Sequence, residues 1–142
     1  MPVNTEFEEL KQVIATGKKD ALVAYIDNYD GGADALLDTI FRSLPEYFRP
    51  EKARGQQADF QYRINTANGV REFFVRVKDG VCEAGAGTVE NPRVTMTVKQ
   101  LPEFLRLLTG KINGMQAFLT GKVKLTGDMF YATKFENWFD RP

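Results

Sequence analysis

Across the polar stretch Glu51 to Gln57 the spacing of apolar residues drops from about 3.6 to about 2, the change expected where a chain passes from helix to strand. Before it, Thr5 and Glu8 form a possible capping box, and Phe7, Leu10 and Ile14 recur at helical spacing to about Thr16. Gly17 breaks that helix. Leu22, Tyr25, Ile26 and Tyr29 define a second, closed by Asp30-Gly31-Gly32. From Asp34 a third, more hydrophobic helix carries Leu36, Leu37, Ile40, Phe41 and Leu44; Pro45 bends or closes it, leaving Tyr47 and Phe48 in an irregular turn before Pro50.

Beyond residue 57, Phe60, Tyr62 and Ile64 alternate with Gln61, Arg63 and Asn65, the mark of a strand with one dry and one wet face. Ala67-Asn68-Gly69 supplies a hairpin turn through the Asn-Gly preference for positive φ. Phe73, Val75 and Val77 then alternate with Glu72, Phe74, Arg76 and Lys78, and Asp79-Gly80 turns the chain into a short third strand, Val81 to Ala84. After a loop to Pro92, Val94, Met96 and Val98 mark a fourth strand. Pro102 suits the first turn of a helix bearing Phe104, Leu105, Leu107 and Leu108 and closed by Gly110. Met115 to Leu119 is a further short helix, Val123 and Leu125 a fifth strand, and Asp128 caps a final helix with Phe130, Tyr131, Phe135, Trp138 and Phe139. Tight hairpins imply a mainly antiparallel sheet, and helices segregated around it imply the α+β class. Segments 103–120 and 128–139 and the helix from Asp34 are the expected cover of one sheet face. The 11 Phe, five Tyr and one Trp could fill that interior or line a void.

Composition narrows the chemistry. A chain of 142 residues is expected to form one core. Its 19 basic and 19 acidic side chains cancel, leaving no bulk field to draw it to nucleic acid. No apolar run approaches the roughly 20 residues that span a bilayer, and Met1 to Glu6 lacks the pattern of an export signal, so a soluble cytoplasmic protein is expected. With no histidine, imidazole triads and most zinc sites are excluded, and a lone Cys82 forms neither an internal disulfide nor a thiolate cluster. No nucleophile with its base is recognisable, so no enzyme, cofactor or metal is expected. Gly85-Ala86-Gly87-Thr88-Val89-Glu90 lacks the third glycine of a dinucleotide fingerprint, and Gly110-Lys111 and Gly121-Lys122 lack the flanks of a phosphate loop. Asp79 and Asp128 stand where turns and caps want aspartate.

The run Leu107-Leu108-Thr109-Gly110-Lys111-Ile112-Asn113-Gly114-Met115-Gln116-Ala117-Phe118-Leu119-Thr120-Gly121-Lys122-Val123-Lys124-Leu125-Thr126-Gly127-Asp128-Met129 resembles the signature stretch of the sterol carrier protein type 2 family. That family shows a helix ending in Gly-Lys, an Ala-Phe pair on a short helix, a Gly-Lys-x-Lys strand and a Gly-Asp opening the last helix. Leu44-Pro45-Glu46-Tyr47-Phe48-Arg49-Pro50-Glu51-Lys52-Ala53 is similar to a helix end of bacterial members, and Val77-Lys78-Asp79-Gly80-Val81 to their second hairpin. The resemblance implies a five-stranded sheet with helices across one face, enclosing a hydrophobic tunnel for a fatty acid, acyl-CoA, sterol or other lipid. It covers residues 33–142 and leaves 1–32 as a helical extension that caps the tunnel mouth, forms a homodimer interface or lengthens the scaffold. The lining it implies is Phe60, Tyr62, Phe73, Val75, Met96 and Val98 from the sheet, with Leu105, Leu108, Met115, Phe118, Leu119, Met129, Phe135 and Phe139 from the cover.

The ending Asp140-Arg141-Pro142 is not a Ser-Lys-Leu peroxisomal signal, so a bacterial-type cytoplasmic member is expected. Lys111, Lys122, Lys124 and Lys134 could gather at one opening to meet a phosphate or headgroup, or form an ordinary charged surface. The expected partner is a lipid or fatty acyl molecule, with transient membrane contact. The alternative is an accessory protein that keeps the fold to support lipid or quinone biosynthesis.

Overall fold

The computed structural model describes residues 5–140, with side chains from residue 8 onward, so the Thr5 cap and Phe7 lie outside the described side chains. Helices α1 (Thr5–Ala15), α2 (Lys19–Asn28) and α3 (Gly32–Ser43) follow one another, and a turn of 3-10 helix (Leu44–Tyr47) closes α3 at Pro45. A short α4 (Pro50–Ala53) then occupies the start of the stretch read as polar linker; Pro50 opens it, Ala53 is buried and Arg54 ends it at φ 52°. Strands β1 (Ala58–Thr66), β2 (Gly69–Lys78) and β3 (Val81–Ala86), then β4 (Val94–Val98), helices α5 (Leu101–Leu108) and α6 (Gly114–Leu119), β5 (Val123–Gly127) and α7 (Met129–Trp138) complete the chain.

The five strands form one sheet in the order β3-β2-β1-β4-β5. Every pairing is antiparallel except the central one, where β1 and β4 run parallel from Phe60 opposite Val94 to Ile64 opposite Val98. Such a pair needs a crossover, and residues 87–93 provide it. The crossover is pinned by Gln61, whose amide donates to the carbonyls of Phe73 (2.9 Å) and Gly87 (3.1 Å) and accepts from the Val89 amide (2.9 Å). Gln61 stands on the face read as wet, yet the loop buries it. The Asp79-Gly80 turn has positive φ at both residues, 54° and 74°, as a type I′ hairpin requires. In the first hairpin the loop is Ala67-Asn68, and positive φ falls on Gly69 (112°), not on Asn68.

Register fixes the faces. Phe60, Val75, Ala84 and Val94 form one row across the sheet, and Tyr62, Phe73, Ala86, Met96 and Leu125 the next. Helices α3, α5 and α7 cover this face. Phe41 of α3 is fully buried among Phe73 (4.5 Å between ring centres, stacked), Tyr62 (5.4 Å) and Phe104 (5.5 Å). Phe135 of α7 meets Phe60 at 4.9 Å and Tyr62 at 5.6 Å, and Trp138 meets Phe60 edge-on at 6.1 Å. Helix α1 packs on α2, and α2 on α3 and α5. Leu10, Ile14, Leu22 and Ile26 are thereby buried in the same core.

Phe139, read as part of the last helix, leaves it: the residue is extended and bridges Phe48. Arg49 N–H donates to the Trp138 carbonyl and Asp140 N–H to the Tyr47 carbonyl, both at 2.8 Å. An Arg49–Asp140 ion pair closes this clamp.

Candidate functional site: an apolar cleft beneath the last two helices

The cleft begins with the local chemistry of α6. Asn113 caps it by accepting from the Gln116 amide at 2.8 Å, and the Gln116 side chain accepts from the Asn113 amide in return. This capping box fixes six residues whose Ala117 is buried while Met115 (56% exposed), Phe118 (37%) and Leu119 (73%) are not. On the far side, Asp128 accepts from the Phe130 amide at 3.0 Å and starts α7, leaving Met129 and Phe130 exposed as well. Five of the eight exposed large hydrophobic side chains among the described residues therefore lie on α6 and the first turn of α7. Lone exposed apolar residues are ordinary, but a concentration of them marks a surface built to contact something apolar.

Between these elements runs a cleft of about 280 Å³, lined by Met96 and Leu125 of the sheet, Asn113 to Met115 and Phe118 of α6, and Met129, Ala132, Thr133 and Glu136 of α7. That volume is near the lower end for small-molecule sites, roughly 300–1,000 Å³. A second, inner cavity of about 70 Å³ is walled by Phe41, Leu44, Tyr62, Phe104, Leu107, Leu108 and Phe135. Met96 and Glu136 line both, so the two meet at that pair. A larger concavity, about 710 Å³, is an open trough along α7 reaching Lys134, Asn137 and Asp140. It is shallow surface rather than an enclosed site.

Of the residues read as lining, Tyr62, Met96, Leu108 and Phe135 meet at the inner cavity, and Met96, Met115, Phe118 and Met129 at the outer cleft. Phe60, Phe73, Val75, Val98 and Leu105 are buried in the packed core and line neither cavity; Leu119 faces outward, and Phe139 sits in the terminal clamp beside the trough. The alternation of the strands identifies the covered face but not where packing along it fails. Glu136 went unnoticed in the sequence. It lies one residue after Phe135 on α7, and only the contact with α6 shows its place: its Oε1 accepts from the Gly114 amide at 2.8 Å.

None of Lys111, Lys122, Lys124 and Lys134 lines either cavity. Lys122 pairs with Glu103 at 3.4 Å, and Lys134 donates to Gln56 at 3.0 Å and lies over the Phe130 ring at 5.1 Å. Burial, with help from Glu83, pushes the Cys82 thiol up to about 12, the opposite of a reactive thiolate. The Tyr62 phenol is raised well above its ordinary range, chiefly by burial and then by the charge of Glu136, so it stays protonated at neutral pH. Among the described residues no group of His, Cys, Asp or Glu could hold a metal ion, and no helix is long and apolar enough to cross a membrane.

A single five-stranded sheet with helices on one face and an apolar cleft at its edge defines an α+β domain with its concavity beneath the last helices. The chain belongs to the SCP-2 sterol transfer family, whose model matches residues 37–140. It is 44% identical over 77 residues to peroxisomal multifunctional enzyme A of Dictyostelium discoideum, aligning 51% of this chain with 17% of that protein. It is 34% identical over 80 residues to human sterol carrier protein 2, aligning 55% of this chain with 14% of that one. The chain thus spans less than a fifth of either relative. The crystal structure of sterol carrier protein 2 like 2 from Aedes aegypti superposes with a TM-score of 0.56 at 28% identity, covering 72% of this chain and 92% of that one. A solution structure of the palmitated form of that Aedes protein superposes at 0.54 over the same 72% of this chain and 88% of that one.

Proposed function

We propose that this chain binds, and carries between compartments or membranes, a lipid-like molecule whose apolar part lies in the cleft under α6 and α7 and reaches inward past Met96. The observation that carries this reading is the ring of Met115, Phe118 and Met129 around a concavity that continues to Tyr62, Phe104 and Phe135. Binding would be driven by apolar area leaving water, about 25 cal/mol per Å², less the cost of ordering the ligand. Residues 33–142 are the ligand-binding unit in this reading. Helices α1 and α2 extend its scaffold, because their buried residues pack inward on α3 and α5 and neither contributes to the two cavities.

The palmitated Aedes relative supports an acyl or similarly elongated ligand class. A catalytic role has less support, since the inner cavity is walled by apolar side chains apart from Tyr62 and Glu136, and the half-buried Cys82 thiol is held protonated. Organic extraction of the purified protein followed by mass spectrometry tests the proposal. A co-purifying lipid at near-stoichiometric amount is the expected result; an empty protein whose melting temperature no lipid raises would contradict it.

A further inference from the structure

The lipid site uses some of the exposed apolar side chains on α6 and α7 but not all of them. Met115, Phe118 and Met129 line its cleft, whereas Leu119 (73% exposed) and Phe130 (70%) line neither cavity. These two are the most exposed large hydrophobic side chains among the described residues, and each follows a lining residue directly in the chain. Nothing in the cleft requires them to face water. Cations border the same patch. Lys134 lies over the rings of Phe130 (5.1 Å) and Tyr131 (5.2 Å), and the Arg93 guanidinium over that of Tyr131 (4.4 Å). Among the described residues neither cation forms an ion pair; Lys134 donates instead to the Gln56 side-chain carbonyl. The rings thus hold two positive charges at the margin of an apolar surface and leave both without a carboxylate. From Lys111 to Glu136 four lysines stand against two carboxylates, in a chain whose total charge is zero, and one of those carboxylates, Asp128, caps α7.

We propose that the α6–α7 face docks on anionic phospholipid bilayers, with Leu119 and Phe130 entering the interface and Arg93 and Lys134 meeting headgroup phosphates, so that the cleft opens against the membrane. This rests on the lipid-binding reading of the cleft, because a mouth facing acyl chains benefits a lipid site. An apolar patch with an aromatic and cationic margin matches the layered chemistry of a bilayer surface, where acyl chains lie beneath a sheet of phosphates. The chain lies on the membrane in this arrangement, since none of the described helices is long and apolar enough to cross it. Two apolar side chains and two cations make a reversible contact, as a carrier needs to leave the bilayer again.

The test is flotation of the full chain with phosphatidylcholine vesicles, with and without about one-third phosphatidylserine. Calorimetric titration with monomeric dodecanoate reads the cleft separately. The native chain should bind the anionic vesicles roughly tenfold more tightly than the neutral ones, and added salt should narrow that difference. Leu119→Ser combined with Phe130→Ser should weaken binding to the anionic vesicles by roughly tenfold while leaving dodecanoate affinity within about twofold, because neither residue lines a cavity. Arg93→Gln combined with Lys134→Gln should bring the two vesicle types within about twofold of each other, and it tests the same face through charge should the first pair not fold. Dodecanoate binding without vesicle binding in the native chain, or vesicle binding unchanged in both pairs of variants, would overturn the docking face while leaving the cleft a lipid site. A native dimer that the first pair dissolves, with no vesicle binding, would assign the face to a second copy of the chain and overturn it likewise. Failure of the native chain to bind either dodecanoate or vesicles would remove the lipid reading, and this inference with it.

Discussion

Asp140 shows how one side chain ties the end of the described chain to the start of α4, where Arg49 stands. The hydrogen bond and charge of Arg49 hold its carboxyl below the usual carboxylate range. A carboxyl depressed in this way stabilises the fold above its unfolded value and loses that contribution as pH falls through its folded value. Asp140→Asn should therefore lower the melting temperature at neutral pH, and the gap to the native chain should close as the pH falls through the acid range in which this carboxyl takes up its proton. A gap that stays constant across that range would contradict the ion pair. Gln61 works differently, through geometry: three bonds from one buried amide fix the crossover that lets β4 lie parallel to β1. Gln61→Leu removes those partners from buried backbone and should cost about 1–3 kcal/mol in urea unfolding, with faster hydrogen exchange at the Val89 amide. Unchanged exchange there would mean that the loop holds itself.

Among elements, the join between β5 and α7 is the most constrained. Gly127 has φ 101°, and a Cβ there would come within 2.4 Å of the Arg93 carbonyl, which accepts from the Asp128 amide at 2.8 Å. Gly127→Ala should destabilise the chain by about 1–3 kcal/mol and loosen the wall of the cleft, measurable as a lower denaturation midpoint and weaker ligand binding. This join was legible in the sequence, because Gly and Asp before an aromatic-rich helix each have one strong structural use. So were the two-residue alternation of β1, β2 and β4 and the positive φ at Asp79-Gly80. The parallel pairing of β1 with β4 was not: strand patterning gives faces, not neighbours, and the pairing depends on Gln61, a polar residue that reads as solvent-facing. Helix α4 was hidden because only four residues form it, too few for a period. Met96, Phe118 and Phe135 could be read as lining by their place in a resemblance. Phe60 and Phe73 obey the same alternation and are simply packed, because whether an apolar face meets a void depends on the volumes opposite it.

At the scale of the whole molecule the interior divides into a tight aromatic core and a looser edge. Phe41 is the centre of the first, and Phe41→Ala should cost about 3–5 kcal/mol, whereas Leu119→Ser, at 73% exposure, should change stability by no more than about 0.5 kcal/mol. The division also separates stability from binding. Met96→Trp, at the meeting of the two cavities, should fill the inner passage at a cost of only about 1–3 kcal/mol while abolishing ligand uptake. Trp138, the sole tryptophan, touches Phe60, which touches Phe135 on the cavity wall, so it reports on occupancy without lining the site. The most direct test is therefore a titration of Trp138 fluorescence with a long-chain lipid in the native chain and in Met96→Phe, which adds bulk at the same place without adding a second indole. A saturable change in the native chain that is lost in Met96→Phe is the predicted result; no saturable change in the native chain, or an unaltered one in Met96→Phe, would contradict a lipid site beneath α6 and α7.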